Sequence, residues 1–543
     1  MRRFLFPLML ILLVLACGQA SPAPTAVPPS TTPVPATVTP DAGSSFPFTI
    51  ALEYGILGVA EAYAATGVTY IKPQLVYSLW GNVEPEPGRF VWGPLDAAIQ
   101  EYQAAGFTGV QLLLSTDSPW AASRRPRLGD LGNTFPQEQY LDDYVAFVTK
   151  AVERYDGDGA EDMPGLLYGI HHYGVEREFT GFWPGPAEDY VRLLRLAYAA
   201  IKAADEQAEV LLVGLLMGDV FDGNPDKAEI AQRLGETPSF RKSAADIQMI
   251  LAACDAYDMV DFHSLGDYSE IPATAAWIWA QLAANGCGEK PIWIGDAFPM
   301  SGLFGFGGFV PPIPFWPVTA ETVDAAVAWI QAAADAADAG HEAALARLQA
   351  ETARGLVKKI VVSAAAGLRG INVGNLEDWK TGVAAVDRAA VPALGASMFM
   401  GLMDTTLTGQ QPGGALPYSG QAWATARRAG VARPAFYALA LTVEMLEGFT
   451  GVTPLDLGAG VWAFRFERPQ GPAWVLWYDV GGLTFPEAPA VTTAVALPFA
   501  ADQAVITQTP TVGKTAGQQV AASSGGMLTV MVDHTPVFVT EAP

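Results

Sequence analysis

Between residues 48 and about 375, short apolar runs rich in β-branched residues alternate with longer Ala- and Leu-rich stretches. The runs Phe48–Glu53, Val68–Lys72, Gly109–Leu114, Leu167–Glu178, Val210–Leu215, Met259–His263, Pro291–Gly295 and Leu368–Val373 read as strands. Tyr140–Tyr155, Ala187–Ala204 and Ala273–Ala284 carry apolar residues at the spacing of a helix with one buried face. Strands alternating with helices imply βα units around a parallel sheet, and eight such strands close a (β/α)8 barrel. An open doubly wound sheet is the rival, but no G-x-G-x-x-G follows the first strand. The expected fold class is α/β, a (β/α)8 TIM barrel.

Two long insertions interrupt the alternation. Phe298 to Pro317 is an irregular Gly/Pro/Phe/Trp segment, followed by an Ala-rich double helical stretch, Ala320–Ala366, broken near Gly340. Asp378 to Gly430 is a second long connection. Loops at the carboxyl ends of barrel strands grip substrates, although either insertion could equally be a packing flap. Beyond Gly451 the texture becomes VWAFRFE, PAWVLWYDV, TAVALPF, MLTVMVD and PVFVT between Gly/Pro turns, the spacing of an antiparallel β-sandwich. That appendage reads as structural.

The start of the chain reads as an address. Arg2 and Arg3 precede an apolar run, Phe4 to Leu15, that is too short to span a membrane, and Val14-Leu15-Ala16-Cys17 resembles the bacterial lipobox. Lipidation of Cys17 is expected, the other reading being an ordinary cleaved signal. The following Pro/Thr/Ala/Ser-rich stretch cannot collapse and reads as a stalk. The expected organisation is a leader over 1–17, a linker over 18–46, the barrel over 47–450 and the sandwich over 451–543. Such a body stands outside the cytoplasm, tied to the bacterial membrane by its lipid alone.

Composition narrows the partners. The 543 residues are 50% hydrophobic and 16% charged, which excludes a disordered body. With 31 Lys+Arg against 56 Asp+Glu the net charge is -25, and such a surface repels nucleic acid and anionic lipid. Three cysteines and five histidines show neither C-x-x-C nor H-E-x-x-H, so no metal site or cofactor is expected. Cys254 and Cys287 each sit just before a strand, at one end of the sheet if those strands are neighbours. In an oxidising compartment that arrangement reads as a disulfide, against two separately buried thiols.

Several segments share one resemblance. LWGNVEPEPGRFVWGPLD, from Leu79 to Asp96, resembles the W-x-x-x-E-P-x-x-G-x-[FY]-x-W-x-x-[LF]-D segment that follows the second strand in clan A glycoside hydrolases, including families 5 and 39. GVQLLLSTDSPWA is similar to their third strand, the stretch from MPGLLYGIHHYGVEREF to VLLVG to their fourth and fifth, and KPIWIGDA to their seventh. RPAFYALALTVEMLEGF resembles the last helix before their C-terminal sandwich. The resemblance runs from about residue 48 to 540 and implies carbohydrate as substrate or ligand, with no cofactor.

In that family the fourth strand ends in Asn-Glu, the glutamate being the general acid/base, and the seventh in a glutamate nucleophile. Retaining hydrolysis needs two such carboxyls ~5–5.5 Å apart. Glu178 falls on the first position and Asp296 on the second. Both sites depart from the pattern. Arg177 replaces the asparagine that would meet the sugar's 2-hydroxyl, and beside Glu178 it would hold that carboxyl ionised. Asp296 is one methylene short, which could slow attack, admit a water for inversion, or end turnover. His263 keeps the sixth strand's histidine, able to orient Asp296 or simply to sit in the core. Glu53 could contact sugar or pair with Lys72.

Aromatic side chains offer faces for sugar rings. Trp80, Trp120, Trp183 and Trp379 follow strand ends and are expected to line the cleft, with Tyr268 after the sixth strand and Trp316 in the Phe-rich seventh loop. Trp92, Trp277, Trp279 and Trp293 read as core. Two functions remain open: an extracytoplasmic glycosidase working through Glu178 and Asp296, and a catalytically silent barrel that binds glycan at the cell surface.

Overall fold

The alternation inside the apolar runs decides how they assemble. In the computed structural model, Thr49–Gly55 (β1), Tyr70–Pro73 (β2), Gly109–Leu114 (β3), His172–Val175 (β4), Glu209–Leu215 (β5), Met259–Ser264 (β6), Ile292–Ala297 (β7) and Gly370–Val373 (β8) pair in parallel and close into a barrel, with β1 against β8. The structure describes residues 48–123, 135–221, 223–236, 242–298, 328, 332–333, 335–374, 376–378, 399–479 and 491–543. Among the described residues no helix is long and apolar enough to cross a membrane.

One set of alternate positions, Leu52, Ile71, Leu112, Val260, Phe262, Ile294, Ile371 and Val373, is buried in the large core shared with the surrounding helices. The other set points into the barrel. There Ala51, Leu113, Leu211, Val213, Met259 and Trp293 make a small apolar plug. The rings of Tyr70 and His172 lie beside Trp293, tilted and edge-on to it, and Gly370 leaves room for its indole. Above the plug the inward positions turn polar. The Trp293 indole N–H donates to Asn372 (2.8 Å), and the Asn372 amide donates to Gln111 (2.7 Å). Lys72 reaches the Gly295 carbonyl. Charge is therefore placed inside the barrel by the sheet's period of two.

Cys254 and Cys287 form a disulfide, Cα–Cα 5.7 Å, joining the segments that enter β6 and β7. After β8, Met403–Leu407 (β9) and Arg427–Ala432 (β10) make a two-stranded hairpin. The C-terminal strands are Gly451–Pro454 (β11), Val461–Glu467 (β12), Ala473–Tyr478 (β13), Thr493–Pro498 (β14), Gln503–Gln508 (β15), Gln518–Ala522 (β16), Met527–Val532 (β17) and Val537–Glu541 (β18). Six of them form one antiparallel sheet, order β11-β12-β13-β18-β15-β16, and β14 pairs with β17. Val461, Trp474 and Leu476 of the first sheet pack on Val495, Leu497 and Val530 of the second, the sandwich core.

Tyr268 marks the seam between barrel and sandwich. Its hydroxyl donates to Asp479 (2.7 Å) and accepts from the Trp477 indole (3.1 Å), and its ring lies edge-on to Trp462 and Trp477. It is buried and serves the joint, which corrects its expected place in the cleft. Helix His341–Ala365 carries Lys358 to Asp479 (2.9 Å) and Arg354 to Thr535 (2.9 Å) across the same seam.

Candidate active site

Two irregularities in the strands build the mouth. The β6–β7 register shifts at Gly295, so that Phe262 lies opposite Ile294 but His263 lies opposite Asp296. Such a bulge re-aims a side chain. Glycine is needed there because a Cβ would lie 2.0 Å from the Asp261 carboxylate, which instead accepts the Gly295 N–H at 2.9 Å. The second irregularity ends β1, where Tyr54 takes a left-handed φ of 58° beside the register shift between Leu52 and Gly55. Its hydroxyl consequently reaches Asp296 Oδ2 at 2.7 Å. Left-handed tyrosine is costly, and such strain gathers at functional sites.

Glu178 follows β4 by way of Glu176, another left-handed residue at φ 68°. It settles over Gly214 of β5, where a Cβ would come within 2.2 Å of the Glu178 Cα. Its Oε2 meets His263 Nδ1 at 2.8 Å. Glu178 and Asp296 are 8% and 7% exposed, enough to touch solvent while lying mostly within protein. Glu53 is buried beside them, paired with Lys72 and with its carboxyl within hydrogen-bonding reach of that of Asp296.

Electrostatics at the mouth are set by burial and crowding. Burial, then the charge of Asp296, lifts Glu53 well above the usual carboxylate range, with Lys72 pulling the other way. Burial lifts Asp261 to about 6 against the pull of His263 and Lys72. Burial depresses the His263 imidazole, but its hydrogen bond to Glu178 and the charges of Glu178, Asp261 and Asp296 outweigh it and raise the group. Lys72 is likewise raised, burial being overcome by Glu53, Asp261 and Asp296. His263 is thus held toward the imidazolium that donates to Glu178, where the sequence suggested service to Asp296 or to the core.

Arg177 does not do what its position suggested. Its guanidinium pairs with Asp117 at the end of β3 and lies 5.9 Å from the Phe182 ring centre. Burial lifts Asp117 to about 6 despite that pair, and burial with the charge of Asp117 lifts Glu176 to about 7. The basic side chain bonded to Glu178 is therefore His263 and not Arg177.

The expected aromatic platform is mostly core. Trp80 is 0% exposed, donates to Glu84 (2.7 Å) and is packed among Trp120, Tyr144 and Phe147. Trp183 is 1% exposed and donates to the Pro186 carbonyl. A strand-end tryptophan with a nearby acceptor turns inward, because burying the indole gains more than exposing it. Trp120 keeps a partly exposed edge and donates to the Glu84 carbonyl (2.8 Å). Cys17, Trp316 and Trp379 lie outside the described residues.

Sequence reading missed Tyr54, Lys72 as a site residue, and Asp261. The signal was a polar residue at alternate positions of otherwise apolar runs: Glu53, Lys72, Gln111, Asp261 and Asn372. The described residues also bring Asp156, Asp158 and Asp162 together in the loop before β4, at the opposite end of the barrel. Their carboxylates accept the backbone N–H groups of Gly157, Asp158, Gly159 and Ala160, so the loop caps itself.

Solved structures share this architecture. A family 39 glycoside hydrolase from the gut symbiont Bacteroides cellulosilyticus WH2 aligns with a TM-score of 0.54 at 14% identity, covering 92% of this chain and 81% of that one. A monomeric beta-xylosidase from Caulobacter crescentus CB15 aligns at 0.50 and 13%, covering 92% and 96%. A family 39 enzyme from Xanthomonas axonopodis pv. citri aligns at 0.50 and 13%, covering 91% and 94%. No family model and no curated protein matches the chain. At these identities the likeness is one of fold, the barrel and sandwich of glycoside hydrolases.

Proposed function

We propose that this protein hydrolyses O-glycosidic bonds of poly- or oligosaccharides outside the cytoplasm, with Glu178 and Asp296 as the reacting pair and Cys17 as its lipid anchor. The observation that carries the reading is that one imidazole is flanked by both carboxyls: His263 is bonded to Glu178 and lies opposite Asp296 in the sheet. A sugar at the mouth would meet an acid on each side. Asp296, oriented by the Tyr54 hydroxyl, attacks the anomeric carbon as the glycosidic C–O bond breaks. Glu178 passes the His263 Nδ1 proton to the departing oxygen. Water then attacks the anomeric carbon of the glycosyl-aspartate as its bond to Asp296 breaks and the carboxylate is released, and the water's proton returns through Glu178 to His263. Trp120 offers the ring face at the rim.

The test is turnover of aryl glycosides and polysaccharides by the purified protein, with aryl xylosides first because the Caulobacter neighbour is a beta-xylosidase. Glu178→Gln and Asp296→Asn should each lower kcat/KM by roughly 10²–10⁴-fold. Unchanged turnover in both variants removes these roles. A second reading, glycan binding without turnover, is favoured by one observation: Arg177 is committed to Asp117, leaving no amide for the sugar's 2-hydroxyl. Micromolar glycan binding with no hydrolysis would select it. For the anchor, Cys17→Ala should abolish incorporation of labelled fatty acid in cells.

A further inference from the structure

The mouth holds more carboxyls than a two-acid reaction uses. Glu53 on β1, Glu178 after β4, Asp261 on β6 and Asp296 on β7 gather around two basic side chains, Lys72 on β2 and His263 on β6, and the Tyr54 hydroxyl donates to Asp296. Donors are unevenly shared. Glu53 Oε1 is taken by Lys72 and Asp296 Oδ2 by Tyr54, but Glu53 Oε2 and Asp296 Oδ1 are both buried without any donor. These two carboxyls are also the pair that lie within hydrogen-bonding reach of each other. Two ionised carboxylates in that position repel, and each naked buried oxygen carries its full desolvation cost. One proton between them removes both penalties.

We propose that Glu53 is a positioning residue which shares one proton with Asp296, so that Asp296 is masked as a nucleophile until the pair loses that proton. The inference rests on the reading of Asp296 as the attacking group only for its consequence; the shared proton is a property of the folded protein with or without turnover. Its structural basis is a division of labour on Glu53. One oxygen is anchored by Lys72, itself fixed to the carbonyl of Gly295, the residue before Asp296, and the other oxygen is left buried without a donor. The upward shift of Glu53, from burial first and the charge of Asp296 second, agrees with Glu53 being the member that carries the proton. As pH rises the proton leaves to solvent, and Asp296 becomes the free carboxylate that attack requires.

The experiment reads the proton directly, in the infrared spectrum of the full-length protein at neutral pH. The C=O stretch of a protonated carboxyl is compared between wild type and Glu53→Gln, and between wild type and Asp296→Asn. One band should vanish in Glu53→Gln and vanish or shift in Asp296→Asn, since one proton serves both groups. A band untouched by either substitution, or by Asp296→Asn alone, overturns the proposal. If Glu53→Gln fails to fold, the Asp296→Asn comparison decides by itself. Where the protein turns over a glycoside, Glu53→Gln should also move the acidic limb of kcat/KM to lower pH, because the group that carries the shared proton is gone; an unmoved limb counts against the proposal. Absence of all turnover with the shared band present would instead refute the glycosidase reading and leave the proton pair standing.

Discussion

A cluster of buried charge at the barrel mouth can be compared with another at the seam with the sandwich, and their partners are distributed differently. At the seam Asp479 receives the Tyr268 hydroxyl and the Lys358 ammonium, and the Trp477 indole donates to the same Tyr268 oxygen. At the mouth Glu53 Oε2, Asp261 Oδ2, His263 Nε2 and Asp296 Oδ1 are buried with no hydrogen-bond partner. Around Asp479 the seam uses polar groups to fix a geometry, and there each donor has found its acceptor. The mouth leaves capacity unspent, which is what a site that must take up a proton or a hydroxyl-rich ligand requires. What sets the mouth apart is that four such atoms, on Glu53, Asp261, His263 and Asp296, gather in one place.

That contrast breaks most sharply at Lys72. Lys72→Met strips the cation from Glu53 and Asp261 and should cost about 3–5 kcal/mol in urea unfolding, the penalty for orphaning one side of a buried pair. The loss should grow with pH. Without Lys72 the mouth carboxyls move further above their unfolded pKa values, so the variant is least handicapped in acid, where they are protonated in both states, and loses ground as pH rises through the folded values. A penalty independent of pH would mean that Lys72 contributes packing alone. The seam should respond to acid with the opposite sign. Glu351, on the helix that faces the sandwich, is raised by burial but held down to about 2 by His534, Arg354 and Arg347. Its stabilisation, about 3 kcal/mol, is present above the ordinary glutamate range and fades as pH falls toward about 2. Glu351→Gln should flatten that acid limb of the unfolding curve.

How much of this could be read from the chain follows from the same contrast. The strands were legible because a sheet writes its period of two into the sequence, and β1 to β8 fall within a few residues of the apolar runs. The Cys254–Cys287 disulfide followed from two cysteines entering neighbouring strands. Glu178 and Asp296 were singled out by resemblance, and the bulge at Gly295 that turns Asp296 toward Tyr54 leaves only a glycine as its trace. Tyr54 itself depends on a left-handed backbone that no propensity favours. The tryptophans failed for another reason. Position after a strand says which loop a ring belongs to, not which way it turns, and Trp80 was decided by Glu84 one turn on and by the rings around it. Tyr268 was decided by the sandwich, two hundred residues downstream in sequence and adjacent in space.

The smallest expected effect compares two tyrosines in the same bond. Tyr54 donates to Asp296 and Tyr268 to Asp479, each at 2.7 Å, so Tyr→Phe deletes one oxygen from each cluster. At the seam, Asp479 keeps Lys358 but Trp477 loses its acceptor, and Tyr268→Phe should cost about 1–2 kcal/mol while leaving kcat/KM unchanged. At the mouth the pair of Glu53 and Asp296 can redistribute its proton to cover the lost donor. Tyr54→Phe should therefore cost less than about 1 kcal/mol in unfolding but lower kcat, with KM little changed, because Asp296 loses its orientation. Paired unfolding and kinetic measurements on the two variants check this. If both hydroxyls register only in stability, the mouth is scaffolding like the seam; if Tyr54 registers in kcat while Tyr268 does not, the unsatisfied cluster is the one that handles substrate.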